Sequence, residues 1–507
     1  MPRRPLRVTG APEGPLRAAL AALRTTLGVP GGFPPAVLAE AERAARDPAL
    51  PLHDATDIPF FTLDPPGSAG RDRAGLDGAG REGPGLDRAM HLSRRGSGYR
   101  VRCAVADVAA FVVPAGTVDT EAHRRAVTLY LPDGGVPLHP AVLGEGAASL
   151  LPGQTRPAVL WTVDLDAEGR TRSVDVRRAL VRSRAQLDRT GVQKEIDGGT
   201  ADEPVALLRD VGRLRERLEA ERGGISLVVP EQEVVEHPAD VPGGRAYEPA
   251  YRAPLPADRW NAQLSLLTGM AAAELMLAHG TGVLRTLPPA PDGAVGRLRR
   301  SAHALGVDWP HHVSYTALLR TLDADRPRHA AFLRECASLL SGAGYTVFRD
   351  GGLPAITTHA AVAAPYAHCT APLGRLADRY ATEICLAAVA GQDVPEWVLT
   401  GLDALPERMA EGTRRAAAVE RECLDVVEAA LLKDRVGELF DGWVIDVDAH
   451  GPTAGTVHVE SPPVVARVES GTAVGTVPLP LGERLRVRLT RADPSAPPPA
   501  RVRFTPA

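Results

Sequence analysis

With 507 residues and a net charge of −4, the chain is long enough for about two or three domains and carries no uniform basic coat, so any nucleic-acid surface must be a local groove. Its 50 glycines and 46 prolines against 4% aromatics predict long loops and few stacking side chains. Cys103, Cys336, Cys369, Cys385 and Cys423 are isolated, with no CxxC spacing for zinc, and fit buried free thiols in a reducing cytoplasm. The N-terminus lacks the apolar core of a secretory signal, and no apolar run reaches the roughly 18 residues of a membrane span. A soluble cytoplasmic monomer that makes no use of a membrane is expected.

In chain order, Leu16, Leu20, Leu23 and Leu27 share one helical face, and Val37, Leu38, Ala41 and Ala45 share another beyond the break at 30–35. These two helices are expected to pack on the main domain, with help in nucleic-acid binding as the other reading. Phe60, Phe61 and Leu63 make a short strand that halts at Asp64-Pro65-Pro66-Gly67. After a Gly- and Arg-rich excursion at 69–84, Tyr99, Val101, Cys103 and Val105 alternate with Arg100, Arg102 and Ala104, and Asp107 closes that strand. Residues 158–166 and 173–181 predict a strand pair, and helical periods begin near 203. Asp258 to Gly280 is apolar on nearly every face and ends in glycine, which predicts a helix buried at the centre of the domain. Further helices are expected over 293–305, 314–341, 370–390 and 407–433. From Val436 onward, brief alternating strands at close spacing predict a small β-barrel. The expected fold class is α+β, divided into a helical segment at 1–50, a main domain at 51–435 and an OB-like barrel at 436–507.

Three blocks carry a resemblance: FFTLDPPGS at 60–68, LDRAMHL at 86–92 and GYRVRCAVADVAAFV at 98–112. Together with later blocks in the same order, down to about residue 433, they resemble the catalytic domain of the ribonuclease II / RNB family of exoribonucleases. The resemblance implies an RNB-type catalytic domain with a trailing S1-like domain and hydrolytic 3′→5′ degradation of single-stranded RNA to nucleoside 5′-monophosphates. It also implies paired magnesium ions, or manganese in their place, held by carboxylates that neutralise a developing dianion. The other reading is a catalytically impaired RNA-binding protein on the same fold. Only Phe440, Trp443 and Phe504 offer aromatic platforms in the C-terminal segment, so its RNA affinity is expected to be low.

Asp64 and Asp87 match the family's metal-binding acids, with Asp87 also a catalytic candidate. Gly85-Leu86-Asp87-Arg88-Ala89 departs from the family's acidic motif: Gly85 stands where an aspartate is expected, and Arg88 brings positive charge to a cation site. Asp72, Asp77 and Glu82 of the insertion are substitute ligands on one reading and solvated loop residues on the other. Tyr130, in Thr128-Leu129-Tyr130-Leu131-Pro132-Asp133, resembles the family's tyrosine that stacks on the 3′-terminal base. Arg189 occupies the place of a second family tyrosine and could grip a phosphate, and Arg285 is a further candidate RNA contact.

The segment from His368 to Asp378 predicts that Thr370 caps, and Pro372 opens, a helix whose free amides would suit a phosphate. It resembles a family motif with two arginines, of which the first is Gly374 here and the second is Arg375, a catalytic candidate followed one turn later by Arg379. Glu420 falls on a helical seam with Ala416, Cys423, Val427 and Ala430 and matches the family's catalytic glutamate. An acid interrupting an apolar face predicts a paired, buried group.

Overall fold

The computed structural model describes residues 7–8, 14–64, 85–227, 231–238, 245–252, 254–291, 293–323, 326–340, 342–448, 451–459, 461–462, 464–470, 478–498 and 500–507. The insertion acids Asp72, Asp77 and Glu82 lie outside these residues.

Five strands close the first barrel: Phe60–Asp64, Arg88–Arg95, Gly98–Ala106, Thr155–Leu165 and Thr171–Asp188. Period-2 alternation sorts their side chains. Ala89, Ala104, Ala158 and Ala179 meet in one core with Phe60 and Leu160, while Cys103, Val105, Val159 and Trp161 face a second core. The central helix Pro256–His279 contributes Ala272, Ala273 and Met276 to that second core and Trp260, Leu264 and Leu267 to a third. Serving two cores, the helix must be apolar nearly all round. It stops at Gly280, whose φ of +82° is left-handed. Phe60–Asp64 runs parallel to the end of Thr171–Asp188, which closes the barrel and sets Asp64 opposite Asp188.

The N-terminal helices Gly14–Thr26 and Pro35–Arg46 form where predicted. The first buries Leu20 and Leu23 against Val419, Cys423 and Val426 of the long helix Leu405–Leu432. The stretch expected as one helix over 314–341 is instead two short ones, Tyr315–Leu319 and Pro327–Cys336, separated by a break ahead of Pro327. All five cysteines are free and buried.

A second closed barrel holds Leu439–Asp448, Gly451–Val459, Val464–Glu469, Arg484–Ala492 and Val502–Pro506. Phe440 and Phe504 meet edge to face at 5.8 Å inside its core. Trp443 packs on the helices around Trp309 and Phe332. Two of the three aromatics proposed as base platforms are therefore spent on the barrel core, and the third is half-covered by its neighbours. No helix among the described residues is long and apolar enough to cross a membrane.

Candidate functional site

One small cleft gathers residues from four distant segments: Gly85 and Asp87; Thr128, Tyr130, Gly135, Pro137 and His139; Gly144 and Glu145; and Leu373 and Gly374. Its volume of about 80 Å³ is several times the roughly 10–15 Å³ that one water needs. Backbone stitching brings the segments together. Leu86 donates its amide to Ser149 Oγ at 2.8 Å, and Leu150 donates back to the Leu86 carbonyl at 3.0 Å. Thr128 donates to the Gly374 carbonyl at 2.9 Å, and Leu376 donates to the Ala126 carbonyl at 3.0 Å.

Asp87 lies on the floor, just before the strand Arg88–Arg95, and its Oδ1 accepts the Leu373 amide at 2.7 Å. Burial pushes its carboxyl up to about 7 despite that hydrogen bond, with Asp378 adding to the rise and Arg375 and Arg88 opposing it. Arg88 does not turn into the cleft; its guanidinium reaches the central helix at Ser265 and Asn261. The expected cation at the site is thereby diverted to a structural role.

Tyr130 is carried by a short hairpin in which Leu129–Leu131 pairs with Gly134–Val136. Alternation buries Leu129 and Leu131 and leaves Tyr130 39% exposed over the cleft. The dense protein around its hydroxyl, and the charge of Asp87, raise the phenol to about 12, so it stays protonated at neutral pH. His139 is 4% exposed and its Nδ1 lies 3.3 Å from the Leu373 carbonyl, which requires the proton on Nδ1. Burial pushes its ring down to about 4, so the imidazole is neutral. The VPLHP segment that supplies His139 is a sequence signal for this position, but no role was expected there.

Several expectations change. The helix predicted from Thr370 starts at Leu376, and residues 372–374 form a turn instead. The amides that a helix would have left open are engaged: Leu373 donates to Asp87, and Ala371 to Asp378 Oδ1 at 2.7 Å. Thr370 is therefore not a helix cap. Arg375 holds the N-cap position and is clamped by Asp378 through Nε at 2.5 Å and Nη2 at 2.8 Å. Arg379 is buried against Asp119 at 2.6 Å. Glu420 is on the exposed side of the long helix, since Val419 rather than residue 420 shares the inward face with Ala416, Cys423 and Val426. Arg189 pairs with Asp258 at 2.8 Å, and Arg285 stacks 4.7 Å from the Tyr345 ring centroid. None of Thr370, Arg375, Glu420, Arg189 and Arg285 is in the cleft lining.

Asp64 ends its strand, and its side chain lies outside the described residues. Among the described residues no group of three His, Cys, Asp or Glu side chains is placed to hold a metal ion. Position 85 has no room to supply one: a Cβ there would run into the Gly144 carbonyl oxygen and come within 2.8 Å of Leu373 Cδ1. Gly374 is different, because a Cβ there would meet Thr128 Oγ1 only at 3.7 Å and the Tyr130 hydroxyl at 3.9 Å. The described side chains do not fit a metal pair.

These features define an α+β protein of two closed barrels with a cleft at the junction of the first barrel, the tyrosine hairpin and the turn before Leu376–Ala390. The RNB domain model matches residues 53–391, and the RNase II-type exonuclease C-terminal S1 domain model matches 438–507; the chain belongs to the RNB family. It is 26% identical over 372 residues to the Ribonuclease R of Aquifex aeolicus, a match covering 70% of this chain and 51% of that protein. With Ribonuclease R of Vibrio cholerae the identity is 26% over 405 residues, covering 73% and 47%. The chain thus spans about half the length of the curated relatives it matches. Among solved structures, Mycoplasma genitalium RNase R in complex with ribose methylated single-stranded RNA is similar at a TM-score of 0.78 and 17% identity, covering 97% of this chain and 78% of that one. Yeast Ssd1, described as a pseudonuclease, is similar at a TM-score of 0.62 and 16% identity, covering 84% and 52%.

Proposed function

We propose that the protein takes the 3′ end of single-stranded RNA into the cleft beneath Tyr130 and degrades it 3′→5′ to nucleoside 5′-monophosphates, at a reduced rate. The observation that carries this reading is the convergence of Asp87, Tyr130 and Gly374 on one cleft from positions almost 300 residues apart. Tyr130 would stack on the terminal base, a contact worth roughly 1–3 kcal/mol and tolerant of any sequence. Asp87, fixed by the Leu373 amide, would face the terminal phosphate. The magnesium or manganese of the family resemblance has no ligand set among the described residues. Arg375 is already neutralised by Asp378, and with Gly374 in place of the first arginine the transition-state charge has a weaker partner. Loss of one such donor costs on the order of 100-fold in rate. A cytoplasmic monomer with boundaries near 50 and 435 completes the reading.

The second reading, an RNA-binding protein with impaired chemistry, is favoured by the contact between position 85 and Gly144, which excludes the missing acid. A 5′-labelled single-stranded RNA incubated with magnesium, manganese or a chelator, beside Asp87→Asn, separates the two. Shortening from the 3′ end that Asp87→Asn abolishes supports the nuclease. Equal binding by both proteins with no product supports the second reading. Failure to bind single-stranded RNA at all would sink both.

A further inference from the structure

The hairpin that presents Tyr130 has a back as well as a front. Leu129 and Leu131 point away from the cleft and share a buried cluster with Leu20 and Leu23 of the N-terminal helix Gly14–Thr26. Val419, Cys423 and Val426 of the long helix complete that cluster. The hairpin turn is held as well. Asp133, next to the paired residues Leu131 and Gly134, receives both terminal nitrogens of Arg24, Nη1 to Oδ2 and Nη2 to Oδ1, each at 2.7 Å. A planar two-bond fork fixes orientation as well as distance, which a single ammonium contact would not. The pair is half-buried, at 31% and 17% side-chain exposure.

The rest of the prefix is anchored independently. Glu40 of the helix Pro35–Arg46 accepts the Thr117 amide and hydroxyl, each at 2.7 Å, at the start of the helix Thr117–Arg125. At the other end of that helix, Arg125 donates to the Gly31 carbonyl at 2.7 Å and lies 3.8 Å from the Phe33 ring centroid. These contacts fix the chain just beyond the helix bearing Arg24, which itself packs along the long helix Leu405–Leu432. A three-residue strand paired to another three-residue strand has little stability of its own, so its orientation is inherited from what it packs on.

We propose that Arg24 is a positioning residue for Tyr130: its fork to Asp133 sets the angle of the hairpin, and so makes the N-terminal helix part of the 3′-end recognition apparatus. This rests on the reading that Tyr130 stacks on the terminal base.

The test uses the full chain, with a chelator present so that no RNA is consumed. Binding of a single-stranded RNA with an intact 3′ base is compared with binding of the same RNA ending in an abasic ribose. The ratio of the two Kd values reports terminal stacking, and roughly 5- to 150-fold is expected for the unaltered protein. Tyr130→Ala should bring the ratio near 1; if it does not, the stacking reading fails, whatever Arg24 does. With Tyr130 so validated, Arg24→Ala should lower the ratio at least threefold, and the exchange Arg24→Asp with Asp133→Arg should restore it. An unchanged ratio in Arg24→Ala, or a fall that the exchange does not restore, overturns the role of Arg24. Should Arg24→Ala not fold, Asp133→Asn, which keeps the shape and removes the charge, gives the same reading.

Discussion

Gly85 lies directly against the carbonyl of Gly144, closer than any side chain at position 85 could permit. The obstacle is backbone, within a single π-helical turn at Val142–Ala147, and backbone gives way less readily than a side-chain tip. Restoring the family's acid with Gly85→Asp should therefore destabilise the fold by roughly 1–3 kcal/mol and leave turnover no higher. Gly85→Ala should show the same stability loss, since the clash begins at Cβ. Urea unfolding midpoints for the two variants check this; a Gly85→Asp protein as stable as its parent would refute it.

The neighbouring departure behaves in the opposite way. A Cβ at Gly374 meets nothing nearer than 3.7 Å, and the position needs no left-handed backbone. Gly374→Arg should fold with stability within about 0.5 kcal/mol of the parent and add a cation beside Tyr130. RNA affinity should rise, with a steeper dependence on salt as one more phosphate contact forms. Titrations at several salt concentrations measure both, and an unaltered slope would count against the placement.

Asp378 is fully buried and satisfies Arg375 twice and the Ala371 amide once. Removing it leaves a largely buried guanidinium without its charge partner. Asp378→Ala should cost about 3–5 kcal/mol. Arg375→Met, which removes the cation but leaves the carboxyl its Ala371 partner, should cost less. Chemical denaturation of both variants would show whether Arg375 is held chiefly as a structural cation; a smaller loss in Asp378→Ala than in Arg375→Met would reverse that conclusion.

His139 is neutral in the fold to about pH 4, while the unfolded chain takes up that proton near the ordinary 6.5. Between those values the unfolded state binds more protons, so unfolding free energy rises with pH and stability is lost as pH falls from 6.5 toward 4. His139→Gln should flatten that slope by up to about 1.4 kcal/mol per pH unit. His359, also pushed down to about 4, and His368, pushed down further, act in the same direction, while Asp87, pushed up to about 7, acts in the opposite one, so the change between parent and variant, rather than the sign of the total slope, carries the prediction. Melting or urea midpoints across pH 4–8 test this, and identical slopes in parent and variant would be fatal to it.

Of the residues singled out in the chain, Asp87 and Tyr130 line the cleft, and short-range patterns specify both. Asp87 sits between a glycine-rich break and an alternating strand, and Tyr130 sits between two leucines whose alternation turns it outward. Glu420 was misplaced because residues 416, 420, 423 and 427 satisfy helical spacing as well as 416, 419, 423 and 426, and only the identity of the packing partner chooses between them. The helix expected at Thr370 was misread because a cap residue before proline is also a turn signal. Of the competing hydrogen bonds, the one from Ala371 reaches Asp378 only seven residues on, but the one from Leu373 goes to Asp87, a group beyond any local window.

Residue order alone determined the C-terminal barrel, the buried central helix and the family to which the chain belongs, since alternation, apolar spacing and motif order are properties of neighbours along the backbone, whereas the first barrel closes only through the long-range parallel pairing of Phe60–Asp64 with Thr171–Asp188. Tertiary structure decided which of two glycines has room for a side chain. Gly85 and Gly374 look alike as letters, yet one is filled by a carbonyl almost sixty residues away and the other opens toward a tyrosine hydroxyl, because free volume at a position is set by what packs there through space.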